Sequence, residues 1–303
     1  MKKLRVEKQI GKSVLSLETG RLAKQAGGSC LVQYGETVVL TAATTGPPRP
    51  GIDFFPLTVD YRERISAAGK YPGGFIKREG RPSQKEILTS RLCDRPIRPL
   101  FPSWFRDDVQ IQSIVLASDR ENDSDILSMI SASVALGLST TPFQGPLGSV
   151  RLAMIDGEYV PFPTQHDLEE SELDLILSGN QENVLMIEGF SRELPEDQML
   201  EALNKAHEYV KQVCDLQMEL LSQLEIEKTA PPETSENSLP GIVREKFHQR
   251  LRDAKEAGDK SARRDARNSV KEQVLAELIP DPEADDALEK GAVSHAFHDL
   301  EKQ

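Results

Sequence analysis

The stretch from Tyr71 to Pro102, YPGGFIKREGRPSQKEILTSRLCDRPIRPLFP, splits into a loop, a helix and a second loop. Gly73 and Gly74 free the backbone ahead of Phe75-Ile76-Lys77-Arg78, so that run is expected to project from the body. Ser83 followed by Glu86 is a capping-box pattern and predicts a helix from about Gln84. Ile87, Leu88 and Leu92 are expected on its apolar face, with Arg91 and Arg95 one above the other. Pro96 is expected to stop the helix, and Pro99 and Pro102 to stiffen the chain beyond it. Lys77, Arg78, Arg81, Lys85, Arg91, Arg95 and Arg98 are basic, against Glu79, Glu86 and Asp94, in a chain of net charge -12. A groove for a polyanion explains the surplus, because arginine forks hold phosphate and Phe75 offers a flat face to a base. From composition alone, ion pairs that tie the loops down explain it as well.

The rest of the composition narrows the class. At 303 residues there is room for about two domains, each with a real core. The opening MKKLRVEK has no apolar region of a signal peptide. The longest uncharged run, 126–150, is broken by Pro142, Pro146, serines and glycines, so no membrane span is expected and the location reads as cytoplasmic. Cys30, Cys93 and Cys214 are few, far apart and without metal-ligand spacing, which predicts reduced thiols. Residues 165–201 hold eleven acids and Arg192 as the one base, so a single acidic segment nearly accounts for the net charge. A nucleic-acid site elsewhere is allowed and would be set apart from it.

Read in order, 12–62 suggests antiparallel strands: Val14 to Leu17, Leu31 to Tyr34, a turn at Gly35-Glu36, Thr37 to Thr41, and Leu57 to Tyr61. Val109 to Ala117 is a β-branched strand. Asp123-Ser124-Asp125 is expected to cap a helix to about Leu138 that is apolar or small on most sides, hence buried against sheet. Strands follow at 148–155, 173–178 and 184–187, with Asp156-Gly157 as a hairpin turn, and then an amphipathic helix over 196–224. This is an α+β pattern over 1–225. Pro- and Ser-containing residues 226–240 read as a linker, and 241–303 as three helices, the third starting from Ala284. Apolar residues are sparse in that last domain, so it is expected to need something to pack on.

The run Gly74 to Pro82, the run Arg91 to Pro102, Asp53-Phe54-Phe55-Pro56-Leu57-Thr58-Val59, Gly145-Pro146-Leu147-Gly148, and Leu173 to Leu175 with Val184 to Glu188 together resemble the first core of bacterial polynucleotide phosphorylases. The resemblance covers the whole chain and its basic motif is highly specific. It implies an RNase PH-like core of mixed and antiparallel sheets with packed helices, followed by a small all-α domain. It also implies a 3′-to-5′ exoribonuclease that cleaves single-stranded RNA by phosphorolysis. Inorganic phosphate is the co-substrate and Mg2+ the metal of the full enzyme. The implied assembly is a homotrimeric ring, with degradosome proteins as further partners. Carried over by position, Phe75, Ile76, Lys77 and Arg78 form the loop that grips RNA, with Arg81, Arg91, Arg95 and Arg98 beside it. Ile76 and Lys77 depart from the family's double-aromatic, double-arginine form. Ile76 cannot stack, so base contact should rest on Phe75, and Lys77 keeps the charge without the fork.

The resemblance places the phosphate site and the metal carboxylates in a second core. In an active core of this kind a helix start holds the phosphate. Here that position reads Ser118-Asp119-Arg120-Glu121-Asn122-Asp123-Ser124-Asp125, and two acids there repel a dianion by on the order of several kcal/mol. Helix capping by these acids is the expected reading, with a Mg2+ site the lesser alternative. No catalytic residue and no metal ligand is assigned, and this core is expected to be silent. The competing readings are a non-catalytic, exosome-like RNA-binding ring subunit and a self-sufficient RNase PH-like exonuclease. The five histidines, Ser131, Ser133 and Trp104 read as surface or packing residues, and Arg263, Arg264 and Arg267 as a solvated helix face.

Overall fold

The computed structural model describes residues 3–48, 52, 54–75, 77–231, 239–256, 258–280 and 290–302. Asp53, Ile76, the 232–238 part of the expected linker, Pro282 and the expected helix start at Ala284 lie outside them. The described residues fall into two compact units, one ending at Pro231 and one made of the helices from Leu239 onward.

In the first unit, β1 (Leu4–Ile10), β2 (Ser13–Thr19), β3 (Gly28–Tyr34) and β4 (Thr37–Gly46) form an antiparallel run. With β5 (Leu57–Glu63) and β6 (Asp108–Ala117) they make a six-stranded sheet of order β1-β2-β3-β4-β6-β5. Strand β1 is not among the sequence expectations. Its buried side chains, Val6 and Ile10, are separated by Glu7, Lys8 and Gln9, which blurs the alternation. Strand β5 departs from the antiparallel expectation, since it pairs with β6 in parallel. The reason is the connection: helix α1 (Gln84–Ile97) lies between them, and only a crossover of that length joins parallel neighbours.

The capping box of α1 forms as predicted, with Ser83 accepting from the Glu86 N–H and Glu86 returning the bond. Its buried stripe is another matter. Thr89, Leu92, Cys93, Pro96 and Ile97 follow helical spacing, whereas Ile87 and Leu88 lie off that stripe and are half exposed. Pro96 does not stop the helix. It sits one residue from the end, where its missing N–H forfeits a single bond, and a 3₁₀ turn over Arg98–Leu100 follows.

Helix α2 (Ser124–Leu138) packs on β3 and β4 of the first sheet and on β7 (Gly148–Ile155) of the second. The second sheet is antiparallel with order β10-β9-β7-β8, from β8 (Glu158–Pro161), β9 (Leu173–Gly179) and β10 (Val184–Ser191). Asp156 and Gly157, both at positive φ, form the hairpin turn between β7 and β8, as expected. Every α2 residue but Gly137 is buried, so its hydroxyls need partners. Ser131 donates to the Cys30 carbonyl at 2.9 Å, and Ser133 donates to Gln217 at 2.7 Å while accepting the Leu147 N–H at 2.8 Å. Gln217 belongs to α4 (Glu196–Leu221), which covers the second sheet. Between β8 and β9 lies a short helix, α3 (Gln165–Glu170), with Thr164 and Asp167 forming its capping box.

Where α2 crosses β3 the backbones meet, and a Cβ on Gly28 would run into the Ala135 carbonyl oxygen. Gly28→Ala is therefore expected to cost roughly 1–3 kcal/mol, read as a lower urea midpoint with an unchanged slope. Past α4, the Lys228 ammonium donates to the Leu136, Gly137 and Ser139 carbonyls at 3.2, 2.8 and 2.7 Å, which fastens the start of the expected linker to the end of α2.

The second unit comprises α5 (Leu239–Lys255), α6 (Lys260–Leu278) and α7 (Lys290–Lys302), so Leu239 and Pro240 are helical rather than linker. It has a core of its own. Val243, Phe247, Leu251, Val270, Val274, Val293, Phe297 and Leu300 bury one another, which answers the expectation that so few apolar residues would need outside help. Arg267 is not on a solvated face. It holds Glu301 with two bonds of 2.6 and 2.8 Å and lies over the Phe297 ring, tying α6 to α7. His295 and His298 pair with Asp299 and Glu301. Trp104 meets Phe105 edge-on against the core, and the three cysteines are free and buried. No helix among the described residues is long and apolar enough to cross a membrane.

Candidate nucleic-acid interface

The basic stretch begins as a loop fixed at its base and free at its tip. A 3₁₀ turn over Ile65–Ala68 ends at Gly69, whose φ of 68° closes it. The Ser118 N–H donates to the Ala67 carbonyl and Arg120 to that of Ala68, while Glu79 accepts the Ile65 N–H at 3.1 Å. Beyond that base, Gly74 at φ 76° and Lys77 at φ 49° turn the chain outward. Phe75 is fully exposed, and Lys77, Arg78 and Arg81 are exposed and meet no carboxylate among the described residues. A fully exposed aromatic ring in the same loop as these three cations has no packing role to explain it.

Helix α1 carries the second part. Its side chains seal the edge of β5, with Ser90 accepting the Tyr61 N–H and Glu86 that of Glu63. Arg91, Arg95 and Arg98 line a groove of about 460 Å³ against Thr58 and Val59. They are not equivalent. Arg91 is exposed and unpaired among the described residues. Arg95 holds Glu188 of β10 at 2.7 Å, but both side chains are 56% exposed, a pair worth about 0–1 kcal/mol that a phosphate can displace. Arg98 has structural work: it binds Asp94 at 2.6 Å and the Phe55 and Leu57 carbonyls at 2.9 and 3.2 Å, and lies over the Phe55 ring.

The start of α2 is filled by the protein's own ions. Asp123 makes no capping bond, contrary to expectation. Its carboxylate takes Lys85 at 2.6 Å, Arg151 at 2.8 Å and Gln165 at 2.9 Å. Arg151 also reaches Asp125 at 3.3 Å and holds Asp174 through bonds of 2.8 and 2.7 Å. Lys85 continues to Glu63 at 3.1 Å, and Glu63 accepts the buried Tyr61 hydroxyl at 2.6 Å. Burial pushes the Asp123 carboxyl up, but Lys85 and Arg151 outweigh it and hold it below its usual range. Burial, and then the Asp123 charge, push Asp125 up to about 6. Asp119 locks the preceding turn. Burial pushes it up, but hydrogen bonds from Asn122, Glu121 and Thr37 prevail and hold it at about 2. A cavity of about 410 Å³ opens beside this lattice, with Arg64, Lys85, Ser118, Arg120, Asn122 and Asp123 in its wall.

The Mg2+ that the resemblance implies has no seat in this lattice. Asp123, Asp125 and Asp174 converge, but on the Arg151 guanidinium. Among the described residues no group of three or more His, Cys, Asp or Glu is arranged for a metal ion. Sequence reasoning missed Arg151, Lys85 and Tyr61 as members of one lattice. Arg151 did leave a sign, since it is the first charge after a 25-residue run without any and sits in a strand with no other charge.

Comparison with known proteins agrees with this architecture. Models of the 3′ exoribonuclease family match residues 14–142 for domain 1 and 145–209 for domain 2. The chain belongs to the 3′ exoribonuclease family. Residues 238–303, which contain the three-helix unit, match the model described as polyribonucleotide nucleotidyltransferase, RNA binding domain. A polyribonucleotide nucleotidyltransferase of Rhodopirellula baltica is 53% identical over 303 residues, all of this chain and 40% of that protein. Those of Thermomicrobium roseum and Heliobacterium modesticaldum are each 46% identical over 274 residues, 90% of this chain and 35% and 39% of theirs. The chain thus spans about two fifths of the curated relatives it matches and corresponds to their N-terminal part. The crystal structure of rice Rrp46 shares the fold, with a TM-score of 0.57 over 69% of this chain and 94% of that one, at 12% identity.

Proposed function

We propose that this chain is the N-terminal portion of a polynucleotide phosphorylase that degrades single-stranded RNA from its 3′ end to nucleoside diphosphates. Its part is to grip RNA and to help build a trimeric ring. Phosphate, Mg2+ and the bond-breaking chemistry belong to a second core outside these 303 residues. The division into a core over 1–225, a linker, and a helical domain over 241–303 belongs to the same proposal.

The observation that carries it is the loop tip, where a bare Phe75 ring is followed by the exposed cations of Lys77, Arg78 and Arg81, which meet no carboxylate among the described residues. The ring offers a stacking face to any base, and the cations neutralise phosphates without reading sequence. Arg91 and Arg95 extend the charge along α1, while Arg98 mainly positions that end of the helix. The start of α2, where an anion would otherwise settle, is held by the lattice around Arg151, so the same unit grips RNA without activating phosphate.

Binding of an unstructured RNA oligonucleotide to the 303-residue chain, titrated with salt, tests the reading. With about four phosphates neutralised, the logarithm of the affinity should fall with log salt at a slope near −3. Weak binding that salt does not change would assign the loop to another purpose.

A further inference from the structure

The loop holds a second aromatic ring that neither the family motif nor packing explains. Tyr71 is 83% exposed. Tyr34 and Tyr61 show what the other use of a tyrosine looks like in this chain: both are buried, with their hydroxyls bonded. The Tyr71 hydroxyl has no partner among the described residues, and the ring pairs the structure does contain lie in the core, around Phe55, Phe101, Phe105 and Phe162.

Tyr71 stands two residues after Gly69 and three before Gly74, both of them at positive φ. It is therefore close to the fixed base at Ala67 and Ala68, whereas Phe75 rides at the tip. Exposed cations flank the two rings along the chain, Lys70 just before Tyr71, and Lys77 and Arg78 just after Phe75. Lys70, like Lys77 and Arg78, meets no carboxylate among the described residues. Four residues of chain span at most about 14 Å. Nucleotides stacked at about 3.4 Å each put four bases within that reach. One strand can therefore meet both rings, with a cation beside each for the phosphate next along the strand.

We propose that Tyr71 is a second stacking platform for a base of single-stranded RNA, set within about four nucleotides of the one on Phe75. This rests on the reading of the loop as an RNA grip. The Pro72-Gly73-Gly74 segment between the rings lets the tip adjust while Tyr71 stays near its anchor, so Tyr71 fixes the strand's position and Phe75 follows it.

The test uses the 303-residue chain and an end-labelled, unstructured RNA oligonucleotide, with affinity measured across a salt series. Tyr71→Phe should bind as the parent does, because the ring face is kept. Tyr71→Ala and Tyr71→Leu should each weaken binding about tenfold, with the salt slope unchanged, since a stacking face is lost and no phosphate contact is. Melting temperatures should not move for a side chain this exposed. If Tyr71→Ala or Tyr71→Leu binds like the parent while Phe75→Ala and Arg78→Ala bind weakly, this inference is wrong and the RNA-grip reading stands. If none of these variants changes binding, the reading beneath it fails as well.

Discussion

Arg151→Met should cost the first unit on the order of 3–5 kcal/mol, because it strips the counter-charge from carboxylates that cannot leave. Arg151 is largely buried, at 16% side-chain exposure, and Asp123 and Asp125 beside it are at 11% and 9%. Removing one partner of such a set costs more than the set contributes, since the desolvated charges stay behind. For a unit of this size the melting temperature should fall by roughly 10 °C. The loss should also depend on pH in a way that simple cavity formation does not. Asp125 has its pKa raised to about 6, above its ordinary value of 3.8. In the parent its contribution to stability is therefore fully present below pH 3.8 and is lost as pH rises through about 6. With Arg151 gone, the attraction that opposes this rise disappears, and the carboxyls take up protons at still higher pH. The deficit of Arg151→Met should then be largest near pH 8 and shrink toward pH 5. Arg151→Lys, which keeps the charge without the fork, should lie between the two. A melting temperature within two degrees of the parent's (roughly 1 kcal/mol or less for this unit) at pH 7.5 would mean that the lattice does not hold the start of α2.

The second large effect concerns the loop. Lys77→Ala, Arg78→Ala and Arg81→Ala together should flatten the salt dependence of RNA binding by about 2 units, at roughly 0.7 per phosphate contact on a single strand. At 0.1 M salt that slope change corresponds to about a hundredfold weaker binding. All three side chains are exposed and unpaired among the described residues, so folding should be untouched and the loss should appear in binding alone. Arg98→Ala should behave in the opposite way. Its guanidinium serves Asp94, the Phe55 and Leu57 carbonyls and the Phe55 ring, so stability should drop more than the salt slope. An unchanged slope in the triple variant would hand the grip to Arg91 and Arg95.

How much of this was legible in the sequence depends on how local the cause is. The capping box at Ser83, the turn at Asp156-Gly157 and the buried run of α2 are set by residues within a few positions of one another, and each formed as read. The direction of β5 in the sheet is set by a helix some thirty residues downstream and was misread as antiparallel. The same holds for charge. Lys77, Arg78 and Arg81 could be seen as a surplus because no acid lies near them in sequence except Glu79, and Glu79 turns back to the Ile65 amide. Arg95, Arg98 and Lys85 carry the same local signal, yet Glu188, the Phe55 carbonyl and Asp123 reach them from far along the chain. Asp123 and Asp125 looked like caps because a helix start favours acids. Arg151, a strand away, took the Asp123 carboxylate and one Asp125 oxygen instead, while the other Asp125 oxygen kept the Ile126 N–H.

The central claim is that this chain holds RNA while its own helix start is closed to phosphate. Phosphate-dependent release of nucleoside diphosphate from a labelled single-stranded RNA, measured with the 303-residue chain at a concentration where that RNA is bound, tests it most directly. The account predicts bound RNA and no release above background as phosphate is raised. Release that grows with phosphate and saturates would contradict it, and would make the cavity beside Lys85 and Arg120 a working phosphate site.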